Sequence, residues 1–181
     1  MGKYSYTWYH DQIGGMTMNT LYMKQKVFSL RGRFTIKDAD ENDLYFVEGS
    51  FMKLPKSFTI SDKDGHEITT ITKKTFSFLP KFYVDVEGQE TVTISKEFTL
   101  FKPRYTIDAA GIDVQGNWWD MDFQVMQNGQ VIGSVQKKWL SWGDSYEIQV
   151  MDETMEHMLI SIVVAIDCAK ADQAAGASAA T

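Results

Sequence analysis

Residues 158–166, Met-Leu-Ile-Ser-Ile-Val-Val-Ala-Ile, constrain this chain more than any other stretch, because they are apolar almost without a break and follow a long series of short alternating segments. Met155, Met158, Leu159, Ile162, Val163 and Ile166 fall at i, i+3, i+4, i+7, i+8 and i+11, the spacing of one helix face. Glu153, Glu156 and His157 share the opposite face of the first turns, but Val164 and Ala165 make that face apolar further on. A helix apolar on all sides must be enclosed on all sides. Asp152 can cap its N-terminus, and Glu153 suits the positive end of the helix dipole. The β-branched residues Ile160, Ile162, Val163, Val164 and Ile166 would equally suit a buried strand. The flanking Met, Glu and Ala residues favour a helix over 153–169. A membrane span needs roughly 20 apolar residues, more than this run provides.

The preceding chain predicts what encloses the helix. From Leu21 to Val150, short period-two runs alternate with turns rich in Asp, Asn and Gly. Asp64-Gly65, Glu87-Gly88, Ala110-Gly111 and Asn128-Gly129 mark tight reversals, where positive φ is needed. These signals argue for antiparallel hairpins, not βαβ units. About a dozen strands result, too many for a flat sheet that neither curls nor closes. A helix of about 16 residues spans roughly 24 Å, about the height of a small barrel. The expected fold is mainly β: a closed antiparallel barrel filled by its own C-terminal helix.

Domain limits follow. Residues 1–18 read as a flexible extension, although Tyr4, Tyr6 and Trp8 alternate as an extra edge strand would. Residues 19–173 form the single barrel domain, and the Ala-rich residues 174–181 read as a disordered tail. The formal charge of −6 excludes a global basic field for nucleic acid. It is uneven: from Lys24 to Arg104 the chain has an excess of two positive charges, and from Tyr105 to Thr181 an excess of eight negative ones. A basic surface must therefore be local. The lone Cys168 permits no intrachain disulfide, and with no apolar signal-like core at the N-terminus a cytoplasmic location is expected.

One sequence grammar occurs three times. Ile68-Thr-Thr-Ile-Thr-Lys-Lys-Thr-Phe76, Val92-Thr-Ile-Ser-Lys-Glu-Phe98 and Val131-Ile-Gly-Ser-Val-Gln-Lys-Lys-Trp139 each place two apolar strand positions before lysine and then an aromatic. If these units stand side by side, Lys73, Lys74, Lys96, Lys137 and Lys138 gather at one rim, where they would attract phosphate groups. Lysines at such positions also protect strand edges.

Several consecutive stretches identify a resemblance. Met23-Lys-Gln-Lys-Val-Phe-Ser-Leu30, Glu48-Gly-Ser-Phe51, Phe76-Ser-Phe-Leu-Pro80, Gly116-Asn-Trp-Trp-Asp120, Trp142-Gly-Asp-Ser-Tyr146 and Ala165-Ile-Asp-Cys168 resemble bacterial members of the LURP-one-related family. The resemblance covers roughly residues 21–173, which suggests Met18 as an alternative start. That family is grouped with the tubby C-terminal domain and the phospholipid scramblases. The resemblance implies a barrel of about 12 antiparallel strands around a central hydrophobic C-terminal helix. Tubby domains bind phosphoinositides through basic residues, but no such motif matches position by position, so no binding residue is carried over.

Candidate chemistry is sparse. Asp38, Asp40 and Asn42 open like a calcium loop, but Asp43 and Gly49 occupy the positions that need Gly and a bidentate Glu, so a solvated hairpin turn is expected. Asp62 and Asp64 form a similar acidic turn. Asp120 and Asp122 would share one strand face beside Trp118 and Trp119, a superficial likeness to a sugar-cleaving carboxylate pair. His10 lies in the leader and His66 in a turn, while His157 is spaced to pair with Glu153. Nucleophile-elbow, zinc-protease, Walker and dinucleotide motifs are absent from the sequence. Cys168 reads as a small buried apolar residue. The expected function is a non-enzymatic binding module, without cofactor or metal, that engages anionic lipid headgroups or a protein partner through a barrel rim. The alternative is a carboxylate-dependent hydrolase on a barrel. Lipid scrambling is disfavoured, since the apolar run cannot span a bilayer and is enclosed.

Overall fold

The computed structural model describes residues 18–24, 33–50, 55–97, 104–108, 111–117, 120–140 and 143–178. The alternation read from the sequence becomes a run of hairpins: β1 (Asn19–Lys24), β2 (Arg33–Lys37), β3 (Asp43–Ser50), β4 (Ser57–Asp62), β5 (Glu67–Lys73) and β6 (Lys81–Val86). It continues through β7 (Val92–Glu97), β8 (Arg104–Asp108), β9 (Ile112–Asn117), β10 (Asp122–Gln127), β11 (Gln130–Leu140) and β12 (Gly143–Val150). In β6 the pattern is plain: Phe82, Val84 and Val86 are buried, while Tyr83 is half-buried and Asp85 exposed, as period two requires of a strand with one wet face. Between β10 and β11, Asn128 and Gly129 have φ of 50° and 83°, the conformation that a two-residue hairpin demands.

All twelve strands form one antiparallel sheet in the order β8-β7-β6-β5-β4-β3-β2-β1-β12-β11-β10-β9. Each strand lies beside its neighbour in sequence, except that β1 pairs with β12 over its full length, Asn19 opposite Val150 through Lys24 opposite Ser145. The outermost strands of this order, β8 and β9, are consecutive in sequence and come close together without a ladder. The barrel is therefore nearly closed.

The helix fills it. Asp152 caps a single 3-10 turn, Glu153–Met155, by accepting from the Thr154 N–H at 3.0 Å and the Thr154 hydroxyl at 2.6 Å. Helix α1 (Glu156–Ser178) follows, and every residue from 158 to 166 is buried. Its β-branched residues do not make it a strand, for a physical reason. A strand alone in the lumen would leave its N–H and C=O groups without partners, whereas a helix satisfies its own. The helix runs to Ser178, further than expected. Residues 174–178, read from composition as a disordered tail, are helical, consistent with the high helix propensity of alanine. The one hydroxyl in the run is matched: Ser161 donates to the His157 carbonyl and meets Thr69 of β5 at 2.8 Å. On the opposite wall Gly133 of β11 faces Leu159. A Cβ there would lie 2.7 Å from the Gln149 carbonyl and overlap Leu159 Cδ2, so the missing side chain lets helix and wall meet. The leader and its Tyr4, Tyr6 and Trp8 lie outside the described residues, as do the last three residues of the tail.

Candidate functional site

Antiparallel order sorts the connections between the two ends of the barrel. Links from odd to even strands (β1–β2, β5–β6, β11–β12 and their like) lie at one end, and links from even to odd strands at the other. The helix runs the same way: Glu156 bonds to Asn19 at the start of β1, and Asp167 to Tyr146 near the start of β12. Charge is sorted with the connections. At the even-to-odd end stand Asp38, Asp40 and Glu41, then Asp62 and Asp64, Asp85 and Glu87, and Asp152 with Glu153. At the odd-to-even end stand Lys24, Arg33, Lys56, Lys73, Lys74, Lys81, Lys137 and Lys138, which outnumber the carboxylates Glu48, Asp120, Asp122 and Asp144 there, while Lys37 and Lys63 stand among the acids of the other end.

The five lysines singled out in the sequence all belong to strands or links at this basic end, but they do not form one cluster. The Lys73 N–H bonds to the Lys56 carbonyl at 2.9 Å, and the Lys74 N–H to the Lys81 carbonyl at 2.8 Å, so four lysines adjoin on one side. Lys81 Nζ lies 5.5 Å from the Tyr83 ring centroid, within cation–π range. Lys96 pairs through its backbone with Tyr105 one residue before the end of β7, two strands further on. Lys137 and Lys138 are exposed on β11, opposite Tyr146 and Ser145. Lys138 lies 3.5 Å from Glu147. Five strands separate β5 from β11 in either direction round the barrel. At about 4.8 Å per strand, with the usual tilt, that sets the two lysine groups on opposite edges, roughly 20–25 Å apart. The units echo in sequence because they are equivalent hairpins, and equivalence in a ring does not make them adjacent.

Sequence reasoning missed the two buried carboxylates of the helix. Asp167 accepts from the Tyr146 hydroxyl at 2.9 Å, and Lys170 Nζ lies 5.8 Å from the same ring. Burial holds the Asp167 carboxyl above the usual range, outweighing the Tyr146 bond and the Lys170 charge, which both lower it. Near the other end of the helix Glu156 accepts from the Tyr45 hydroxyl and, at 3.1 Å, from Asn19. Burial, then the bond to Glu156 and its charge, push the Tyr45 hydroxyl well above the usual phenol range. The available signal was a carboxylate inside an apolar helical run, which has to find a partner when enclosed.

The remaining candidates hold turns together. Asp38 accepts at 2.9 Å from each of the Asp40 N–H, the Asn42 N–H and the Asn42 side chain. Asp62 accepts from the Asp64 and His66 N–H groups at 2.9 and 2.8 Å. Among the described residues, no three of His, Cys, Asp and Glu are grouped to hold a metal ion. Asp120 and Asp122 do not form the same-face strand pair expected. Asp120 lies before β10 and accepts from Asn117 at 2.6 Å; Met121, with φ of 58°, turns the chain between the two exposed carboxylates. Trp118 and Trp119 lie outside the described residues. The expected Glu153–His157 pair does not form either, because Glu153 belongs to the 3-10 turn and not to α1. His157 instead meets the Tyr45 ring edge-on, at 5.8 Å. His66 Nε2 lies 3.4 Å from Glu87 across neighbouring turns. Cys168 is buried. No described helix is long and apolar enough to cross a membrane.

Comparisons with known proteins agree with this architecture. A family model described as "LURP-one-related" matches residues 19–167. The Bacillus subtilis (strain 168) protein YxjI is 38% identical over 149 residues, which is 82% of this chain and 91% of that protein. A protein from Arabidopsis thaliana, known from its X-ray structure, superposes with a TM-score of 0.55 over 83% of this chain and 91% of its own, at 16% identity. That last likeness speaks to the fold alone.

Proposed function

This chain belongs to the LURP-one-related family, and on that premise we propose that it is a non-enzymatic binding module whose basic barrel end engages anionic lipid headgroups. The observation that carries this reading is the sorting of charge along the barrel axis. A protein of formal charge −6 is repelled by an anionic surface on average, but one whose lysines stand at one end is attracted there and oriented by the field. Each lysine brought against an anionic leaflet is worth about 1 kcal/mol, so a handful suffices for reversible binding. The helix occupies the lumen, which leaves the ends and outer wall as the places for a ligand. Of the two carboxylates named for the hydrolase alternative, Asp120 accepts from Asn117 in the β9–β10 turn and Asp122 opens β10 beyond the bend at Met121.

Sedimentation with phosphatidylserine–phosphatidylcholine vesicles tests the proposal. Binding at low salt is expected, weakening as salt screens the charges and absent with phosphatidylcholine alone. Lys73→Glu/Lys74→Glu/Lys137→Glu, changed together, should abolish it. Failure of the unaltered protein to bind at low salt would overturn the lipid reading, and capture of an acidic protein by the same lysines would replace it.

A further inference from the structure

The sequence echo ends each lysine group with an aromatic, and the function proposed above does not use those aromatics. Phe76 is 100% exposed and Phe78 is 93% exposed between β5 and β6, and Trp139 is 80% exposed near the tip of β11. Single exposed apolar residues are ordinary. These three are the most exposed large apolar side chains among the described residues, and all stand at the basic end. Phe76 also has φ of 58°, a left-handed conformation that strains a bulky residue. Asn or Gly would adopt it more readily, and the Phe76 ring recovers nothing by packing, being fully exposed. On the other edge, four successive residues of β11, Gln136, Lys137, Lys138 and Trp139, are exposed on both faces.

We infer that the barrel docks end-on to an anionic bilayer, with Phe76 and Phe78 on one edge and Trp139 on the other entering the interfacial layer beside their lysines. The inference rests on the lipid-binding reading above and adds its geometry. Aromatic rings settle at the headgroup level of a membrane, and lysines beside them reach the phosphates. Between the β5–β6 link and β11 stand five strands in one direction and six in the other, so the two aromatic sites lie on opposite edges of one end. A flat partner touches both at once; a small soluble ligand does not. The complement is charge: lysines adjoin both sites, and the acidic end faces away from the surface, so one orientation is favoured. The apolar run 158–166 takes no part, because it stays enclosed by the strands.

The test uses the full chain with phosphatidylserine–phosphatidylcholine vesicles at low salt. A nitrobenzoxadiazole label is placed on Phe78→Cys or, at the acidic end, on Asp40→Cys; native Cys168 is buried. Vesicles should shift the emission of the label at 78 to the blue and leave the label at 40 unchanged. The triple variant Phe76→Asn/Phe78→Ser/Trp139→Ser should keep its melting temperature and salt dependence and lose about tenfold or more in vesicle affinity. If the unaltered protein does not bind, the lipid reading falls and this inference with it. If it binds with the expected salt dependence while the label at 78 stays unshifted and the triple variant binds equally well, only the insertion falls. Equal shifts at both labels would overturn the end-on orientation.

Discussion

At the residue scale, Asp167 is a carboxylate enclosed by apolar neighbours. It is buried near the basic end and accepts from Tyr146, and burial raises its folded pKa above the ordinary value of about 3.9. The sign of the pH effect follows. Between the unfolded and the folded pKa the native state still holds a proton that the unfolded chain has released, so stability falls as pH rises through that window. Asp167→Asn keeps an acceptor for the Tyr146 hydroxyl and removes the titration. Thermal melts across pH should show the wild type losing ground to the variant as pH rises from about 4, with the two converging in acid; parallel curves would refute the assignment. The aspartate was visible in the sequence, inside an apolar run. Its partner was not, because 21 residues separate the pair and only the seating of the helix against β12 brings them together.

The element scale is where sequence reasoning succeeded most fully. Period-two runs became strands, Asn-Gly and Asp-Gly became reversals, and the i, i+3, i+4 stripe became a helix, since each pattern reports a local geometry. It was less informative where packing decides. Gly133 sits mid-strand, where glycine ordinarily weakens a strand, and only the contact with Leu159 explains it. Gly133→Ala should cost about 1–3 kcal/mol by forcing wall and helix apart, read as a lower urea midpoint at unchanged slope. An unchanged midpoint would show that the helix does not press on β11 there. The acidic pair Asp120 and Asp122 shows the converse error. Spacing alone put both on one strand face, but the positive φ of Met121 breaks the strand between them.

At the scale of the molecule, strands and helix depend on one another. The strands bury their inner faces only against α1, and α1 is enclosed only by the strands, so neither is a separate folding unit. Ile162 is 0% exposed, and an unpaired carboxylate there has no partner. Ile162→Asp should cost several kcal/mol, a large part of the 5–15 kcal/mol that holds a domain together, and both the near- and far-UV circular dichroism of the whole barrel should collapse together. A soluble variant that still melts cooperatively would refute the filled barrel. The same closure produces the charge polarity. Acidic and basic residues are interleaved along the first half of the sequence, and the up-and-down path of the chain sends alternate turns to opposite ends.

The sequence by itself determined the elements, their antiparallel sense and the need to enclose residues 158–166, because periodicity, turn chemistry and apolar content act over a few residues at a time. Tertiary structure alone decided which strands meet round the ring, that β1 lies against β12, that Lys73 and Lys74 stand across one end from Lys137 and Lys138, and that Tyr146 meets Asp167. Those relations join residues far apart in the chain through the geometry of closure, which no local pattern encodes.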